Sequence, residues 1–172
     1  GLLRCSRLHE LLAESEGDLI LPSGALAGLD ACASARCAHI TRVTLTTSKP
    51  LAGLRGASYF LQKGMDIDAL QEPTVVFEGN AAEAIQCFPK NINVAVLLSY
   101  ATVGAHNVHV RIVTSPTFTR NTHKLEVEGD FGKITTITEN VPSPENPKTS
   151  YLAVLSAYAT LEKYVNNFKI GT

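Results

Sequence analysis

The chain has 172 residues, of which 45% are apolar and 18% charged, so it can bury a core and does not have a disordered composition. Its formal net charge of -1 leaves no excess of basic residues for a nucleic acid or an anionic membrane surface. The longest apolar run, residues 92–105, includes Asn93, Ser99 and Thr102 and is too short to span a bilayer. We therefore expect a globular protein with no nucleic-acid partner and no membrane partner.

The cysteines carry no metal-binding or disulfide pattern. They form no C-x-x-C pair, and no histidine lies at zinc-ligand spacing from them. The N-terminal residues contain no apolar segment of the secretory type. We therefore expect reduced, partly buried thiols, no metal site and a cytoplasmic location. The cysteines are Cys5, Cys32, Cys37 and Cys87.

The N-terminal part is predicted to contain two helices separated by a short strand. Residues 8–13 have the pattern of the end of a helix, and Asp18–Leu21 is a short apolar run that predicts a buried strand. A turn with Ser23 as N-cap should then lead into a helix over Ala25–Ala35. Gly24 would let a backbone or a ligand approach this turn closely.

Alternating apolar and polar residues, with many β-branched side chains, predict strands through the rest of the chain. The predicted strands are His39–Thr47, Pro73–Gly79, Val108–Thr114, Lys124–Gly129 and Lys133–Glu139. The sequence GDFG, residues 129–132, suits a hairpin turn between the last two. Segment 48–58 is rich in proline and glycine and is interpreted as a loop.

Three further helices are expected. Residues 80–88 form a short one, and residues 92–103 form a second that Gly104 closes. The last follows a long polar connection and has a strong start signal, with Asn146 as N-cap and Pro147 at the first helical position. It should run to about Asn166 with one apolar side.

These elements predict an α+β fold. A mixed or mostly antiparallel sheet of about five or six strands would carry helices on one face. The other face is polar, and either plain solvation or contact with a ligand, a domain or a second subunit would explain it. Its candidate members are Arg42, Thr44, Thr46, His109, Arg111, Thr136 and Thr138.

His123 is the one histidine that the strand periodicity sets apart. It shares a strand face with Leu125 and Val127, where partial loss of solvent can tune its pKa for proton transfer. The ordinary alternative, a structural histidine, is the more frequent situation. Two other features are open in the same way. Asn91 and Asn93 both lie at a helix start, where capping explains one of them but not both. Residues 145–150 suit either an anion site or a helix cap.

Four segments together resemble the L-aspartate dehydrogenase family in order and spacing. They are LPSGALAGLD, VFEGNAAEAIQCFPKNINVA, NTHKLEVEGDFG and NVPSPENPKTSYLAVLSA, within about Asp18 to Thr172. The resemblance implies the C-terminal domain of a Rossmann-linked dehydrogenase. Residues 1–22 would then be the end of a nucleotide-binding domain, and residues 23–172 a catalytic and dimerisation domain. The implied partners are L-aspartate, oxaloacetate, NAD or NADP and a second copy of the chain.

The resemblance also implies roles for single residues. His123 matches the catalytic histidine of the family, and Ala25 and Asn93 match residues that contact the cofactor. The substrate carboxylates need cationic or N–H partners, for which Lys148, Thr149 and Ser150 are candidates. The implied reaction is oxidative deamination of L-aspartate to iminoaspartate, which hydrolyses to oxaloacetate and ammonia. The alternative is a non-catalytic dimerisation or regulatory domain that retains the dehydrogenase fold.

Overall fold

A computed structural model describes residues 7–89, 92–146 and 149–168. The helices are α1 (Leu8–Ala13), α2 (Leu29–Ala35), α3 (Leu51–Leu54), α4 (Ser58–Lys63), α5 (Ala81–Cys87), α6 (Asn93–Ala101) and α7 (Tyr151–Val165). The strands are β1 (Ile40–Pro50), β2 (Thr74–Asn80), β3 (Val108–Ser115), β4 (Asn121–Gly129) and β5 (Gly132–Asn140). In the described ranges, no helix is long and apolar enough to cross a membrane.

The five strands form one mixed sheet in the order β2-β3-β1-β4-β5. The central pair β1 and β3 is parallel, and the other three pairs are antiparallel. A parallel pair needs a long crossover connection, and the chain between β1 and β3 supplies it through α3 to α6. The expected mixed sheet with helices is therefore confirmed.

One face of the sheet packs against the helices and holds the core. Alternate residues of the three central strands are fully buried there, as the alternation in the sequence predicted. They include Val43, Leu45, Val108, Val110, Ile112, Leu125 and Val127. The hairpin between β4 and β5 is also confirmed, because Gly129 pairs with Gly132 across the Asp130–Phe131 loop.

An aromatic cluster fixes the helices to the outer strand β2. Phe88 lies at the end of α5, and its ring centroid is 4.9 Å from that of Tyr59 and 5.6 Å from those of Phe60 and Phe77. The pairs with Phe60 and Phe77 are edge-to-face, the arrangement that the aromatic quadrupole favours. The cluster therefore joins α4, β2 and α5.

The opposite face of the sheet is open and charged. Ion pairs cover it, including Arg42 Nη2 with Glu128 Oε1 at 2.8 Å and Lys133 Nζ with the same oxygen at 3.0 Å. His109 Nε2 lies 2.9 Å from Glu78 Oε1 on the same face. The expected polar face is confirmed for residues of β1 and β3.

Thr136 and Thr138 were wrongly expected on the open face. They lie opposite Leu125 and His123 in the β4–β5 register and therefore face the helices. Thr136 Oγ1 donates to the carbonyl of Ala27 at 3.1 Å, and Thr138 Oγ1 donates to that of Ala25 at 2.9 Å. Carbonyl groups from a loop distant in sequence thus satisfy hydroxyls on the helix-packed face.

The expected strand Asp18–Leu21 is wrong. This segment forms no strand, and the side chain of Leu19 is 43% exposed. The helix expected over Ala25–Ala35 begins only at Leu29, because Gly28 precedes it with φ 81°, a left-handed backbone that does not continue a helix. Ser23 is therefore not its N-cap.

Two other boundaries differ from expectation. Segment 48–58 is not a loop, because β1 continues to Pro50 and α3 and the start of α4 follow. The last helix begins at Tyr151 with Ser150 as N-cap, so an N-cap at Asn146 is wrong. Ser150 also pairs with Pro142 in an isolated antiparallel β-bridge.

Candidate active site

Polar side chains gather on the helix-packed face at one edge of the sheet. This edge contains the C-terminal ends of β1, β3 and β5 and the N-terminal end of β4. Burying polar groups is unfavourable unless they are satisfied or serve a site. The group, called the polar edge below, consists of Thr47, Lys49, Thr114, His123, Thr138 and Asn140.

His123 is the centre of the polar edge. It lies between Thr47 on β1 and Thr138 on β5, its direct neighbours in the two registers. Its side chain is 3% exposed, and its Nδ1 atom is 3.2 Å from Thr47 Oγ1. In the tautomer whose Nδ1–H donates to Thr47, Nε2 keeps a lone pair that can accept a proton.

Two causes make the His123 ring a neutral base. Burial disfavours its cation, and the ammonium of Lys49 disfavours it further, which together lower its pKa from 6.5 to about 4. The ring is therefore uncharged near neutral pH. A buried, uncharged imidazole with one fixed nitrogen suits general acid–base chemistry.

The pKa of His123 predicts a specific loss of stability in acid. Between pH 6.5 and about 4 the unfolded chain binds a proton that the folded chain does not, so stability falls as pH falls through this window. The shift corresponds to about 3 kcal/mol of unfolding free energy. Urea unfolding at several pH values should show this loss in the wild type and not in His123→Gln. The same pH dependence in both proteins would contradict it.

Lys49 is a member of the polar edge that was not predicted from the sequence. It was assigned to a loop, but in the structure it extends the series Val43, Leu45 and Thr47 on the helix-packed side of β1. The signal was available, because alternation places residue 49 on the same face as residue 47. Burial lowers the pKa of the Lys49 ammonium. The backbone carbonyl of Lys49 accepts a hydrogen bond from Thr114 Oγ1 at 2.7 Å.

Ala25 lies against the polar edge. Its carbonyl oxygen accepts hydrogen bonds from Thr138 Oγ1 at 2.9 Å and Asn140 Nδ2 at 3.4 Å. The next strand neighbour of Thr138 is His123, so the structure brings Ala25 close to the histidine. The expected helix N-terminus at Ala25 is wrong, since α2 begins four residues later.

Asn93 is the first residue of α6, and its side chain is exposed. Ile92 is the N-cap residue, so the Asn93 amide does not cap the helix. Within the part of the chain that the structure describes, this amide has no hydrogen-bond partner, which leaves its donor and acceptor for a ligand. Asn91, the other candidate cap, lies outside the described residues.

The structure describes two of the three candidate carboxylate ligands. Ser150 is buried, and Thr149 is half-buried with its carbonyl accepting from the Ser143 N–H at 2.8 Å. Lys148 lies outside the described residues. Beside them is a shallow cavity of about 300 Å³, which is at the lower limit for small-molecule sites. Its lining includes Thr138, Asn140, Tyr151, Leu152 and Leu155.

Comparison with known proteins identifies the family of the chain. Residues 30–164 match the family described as the C-terminal part of aspartate dehydrogenase. The L-aspartate dehydrogenase of Methanosarcina mazei is 51% identical over 90% of this chain and 57% of its own length. That of Methanosarcina barkeri is 48% identical over 96% of this chain and 61% of its own length.

A solved structure is also similar. The crystal structure of aspartate dehydrogenase from Thermotoga maritima superposes with a TM-score of 0.77 at 30% identity, covering 99% of this chain and 63% of that one. The chain thus spans about three-fifths of the length of these relatives. The fold, the family match and the relatives agree, and the chain belongs to the aspartate dehydrogenase family.

Proposed function

We propose that the full-length protein is an NAD(P)-dependent L-aspartate dehydrogenase and that this chain carries its catalytic histidine. The observation that carries the proposal is His123, a buried neutral imidazole fixed by Thr47 at the polar edge. The name L-aspartate dehydrogenase of the two Methanosarcina relatives supports the substrate. The products are iminoaspartate and then, after addition of water, oxaloacetate and ammonia.

His123 transfers protons in this reaction. The amino group of L-aspartate must lose protons to become an imine, and Nε2 of the neutral ring accepts one. Nε2 must release this proton to solvent, and the neutral ring can then remove a proton from the water that attacks the imine carbon. When bound, the nicotinamide would accept the hydride that leaves the α-carbon. Burial of His123 lowers its pKa, so the ring is available as a base at neutral pH.

Asn93 and the Ala25 segment are proposed to hold the nicotinamide end of the cofactor. The Asn93 amide is exposed and offers a donor and an acceptor, the complement of a carboxamide. The backbone of Ala25 is fixed beside His123 by Thr138 and Asn140, which would keep the ring close to the proton-transfer group. Either NAD or NADP would present this same end to the two residues.

We propose a division at residue 22, with a nucleotide-binding domain ending before it and the catalytic domain after it. In support, residues 16–22 contain no helix or strand, and the apolar core begins at Ala25.

The carboxylate ligands of the substrate are proposed to be Thr149, Ser150 and Lys148, which precede α7 in the sequence. The free thiols Cys32, Cys37 and Cys87 support a cytoplasmic location.

A homodimer is the proposed assembly. Apolar side chains along α7 are exposed, and burying their apolar surface in a contact would contribute about 25 cal/mol per Å². They include Tyr151, Leu155, Tyr158, Leu161, Tyr164 and Val165. Sedimentation equilibrium should give a mass of two chains, and Leu161→Glu with Val165→Glu should reduce it to one. A monomeric wild type would contradict the assembly.

The activity is tested by reduction of NAD⁺ or NADP⁺ in the presence of single amino acids. The full-length protein should form reduced nicotinamide with L-aspartate and far more slowly with L-glutamate or L-alanine. Calorimetric titration with each nucleotide supplies a second measurement. A folded protein that binds neither nucleotide and reduces neither would refute the proposal in favour of a non-catalytic dimerisation domain.

A further inference from the structure

Lys49 places a positive charge on the otherwise neutral polar edge. Strand β1 carries Lys49 on the same side as Thr47, two residues beyond Thr47, which pairs with His123. Its charge is close enough to His123 to lower the pKa of that ring. The remaining members of the polar edge, Thr114, Thr138 and Asn140, carry no charge.

Among the described residues, no carboxylate forms an ion pair with this lysine. Over residues 7–89, 92–146 and 149–168, the ion pairs join other lysines, arginines and one histidine to carboxylates, and none involves Lys49. Lys124 and Lys133, by contrast, each lie within 3.0 Å of a glutamate oxygen on the open face. A half-buried ammonium without a carboxylate partner is unfavourable unless a ligand provides the anion.

We propose that Lys49 binds a carboxylate of the substrate beside His123. This inference rests on the proposed function, since L-aspartate supplies two carboxylates. An ammonium–carboxylate pair in a partly buried site is a charge-assisted hydrogen bond, which is stronger than a bond between neutral groups. With the carboxylate on Lys49, the adjacent His123 ring lies within reach of the amino group of the same substrate.

The kinetic test compares Lys49→Met with Lys124→Met in the full-length protein. Methionine keeps an unbranched side chain of nearly the same length and removes the charge. Lys49→Met should raise KM for L-aspartate about ten- to a hundredfold, with a smaller effect on kcat, and Lys49→Arg should restore part of the affinity. Lys124, next to His123 in sequence but on the open face, is the matched control and should leave KM unchanged. Wild-type KM in Lys49→Met would overturn the proposal while leaving the dehydrogenase activity in place.

A binding test separates the role of Lys49 from the reaction itself. Succinate, a dicarboxylate without an amino group, is titrated calorimetrically into wild type, Lys49→Met and Lys124→Met. Wild type and Lys124→Met should bind it equally, and Lys49→Met at least tenfold more weakly. This result would support a carboxylate site even in a protein that does not oxidise aspartate. Equal binding by all three, or no binding by any, would refute the carboxylate site at Lys49.

Discussion

Replacing His123 by glutamine is expected to reduce kcat for L-aspartate about 10²- to 10⁴-fold, the usual contribution of a general acid–base group. Glutamine fills most of the ring's volume and keeps a polar group near Thr47 Oγ1, but it cannot exchange a proton near neutral pH. The loss should therefore appear in turnover at neutral pH with the fold retained. Steady-state kinetics of the full-length protein, with circular dichroism as a check on folding, measures it.

His109→Gln is the matched control for His123. His109 also lies on a strand of the sheet, but it is on the open face, where Nε2 contacts Glu78. Its replacement should leave kcat and KM within twofold of wild type, roughly the scatter expected for surface changes. Wild-type turnover in His123→Gln would contradict the role given to His123, and an equal loss in both variants would indicate a general effect on the sheet.

Replacing Phe88 by alanine is expected to destabilise the fold by about 3–5 kcal/mol. Phe88 is 1% exposed and contacts three aromatic rings, so its removal leaves a cavity where α4, β2 and α5 meet. Leu61→Ala is the matched control, because Leu61 belongs to α4 and is 85% exposed. Urea unfolding should show a change within about 0.5 kcal/mol for that variant. A loss below 1 kcal/mol in Phe88→Ala would show that the cluster does not support the fold.

The strands could be predicted from the sequence because their signal is local. Alternation along His39–Thr47 and Lys124–Gly129 fixes which side chains face the core, and the structure agrees within a few residues. The short run Asp18–Leu21 is apolar enough to suggest a buried strand, but a strand also needs a neighbouring strand with which to pair. No local pattern carries that information, so the strand was wrongly expected.

The buried face of β5 was misjudged for a related reason. Thr136 and Thr138 are polar, and polarity alone suggested solvent. Their hydroxyls are satisfied by carbonyl groups of residues 25–27, about 110 positions earlier in the chain. Only the tertiary fold brings the two segments together, and it also brings Ala25 to the polar edge.

The candidate site was partly predictable. His123 was found because an ionisable ring on an apolar strand face breaks the pattern, and the resemblance supplied Ala25 and Asn93. Lys49 was missed because the proline next to it suggested a loop. The predicted strand therefore ended at Thr47. The strand in fact continues to Pro50, and the same period places Lys49 beside His123.

The most direct test of the proposed reaction follows the hydrogen on the α-carbon of L-aspartate. The full-length protein is given L-aspartate deuterated at that carbon together with NAD⁺ or NADP⁺, and the reduced nucleotide is analysed by mass spectrometry. We expect deuterium in the nicotinamide ring, formed rapidly by the wild type and at least a hundredfold more slowly by His123→Gln. Reduced nucleotide without deuterium, or no reduction with deuterated or ordinary L-aspartate, would contradict it.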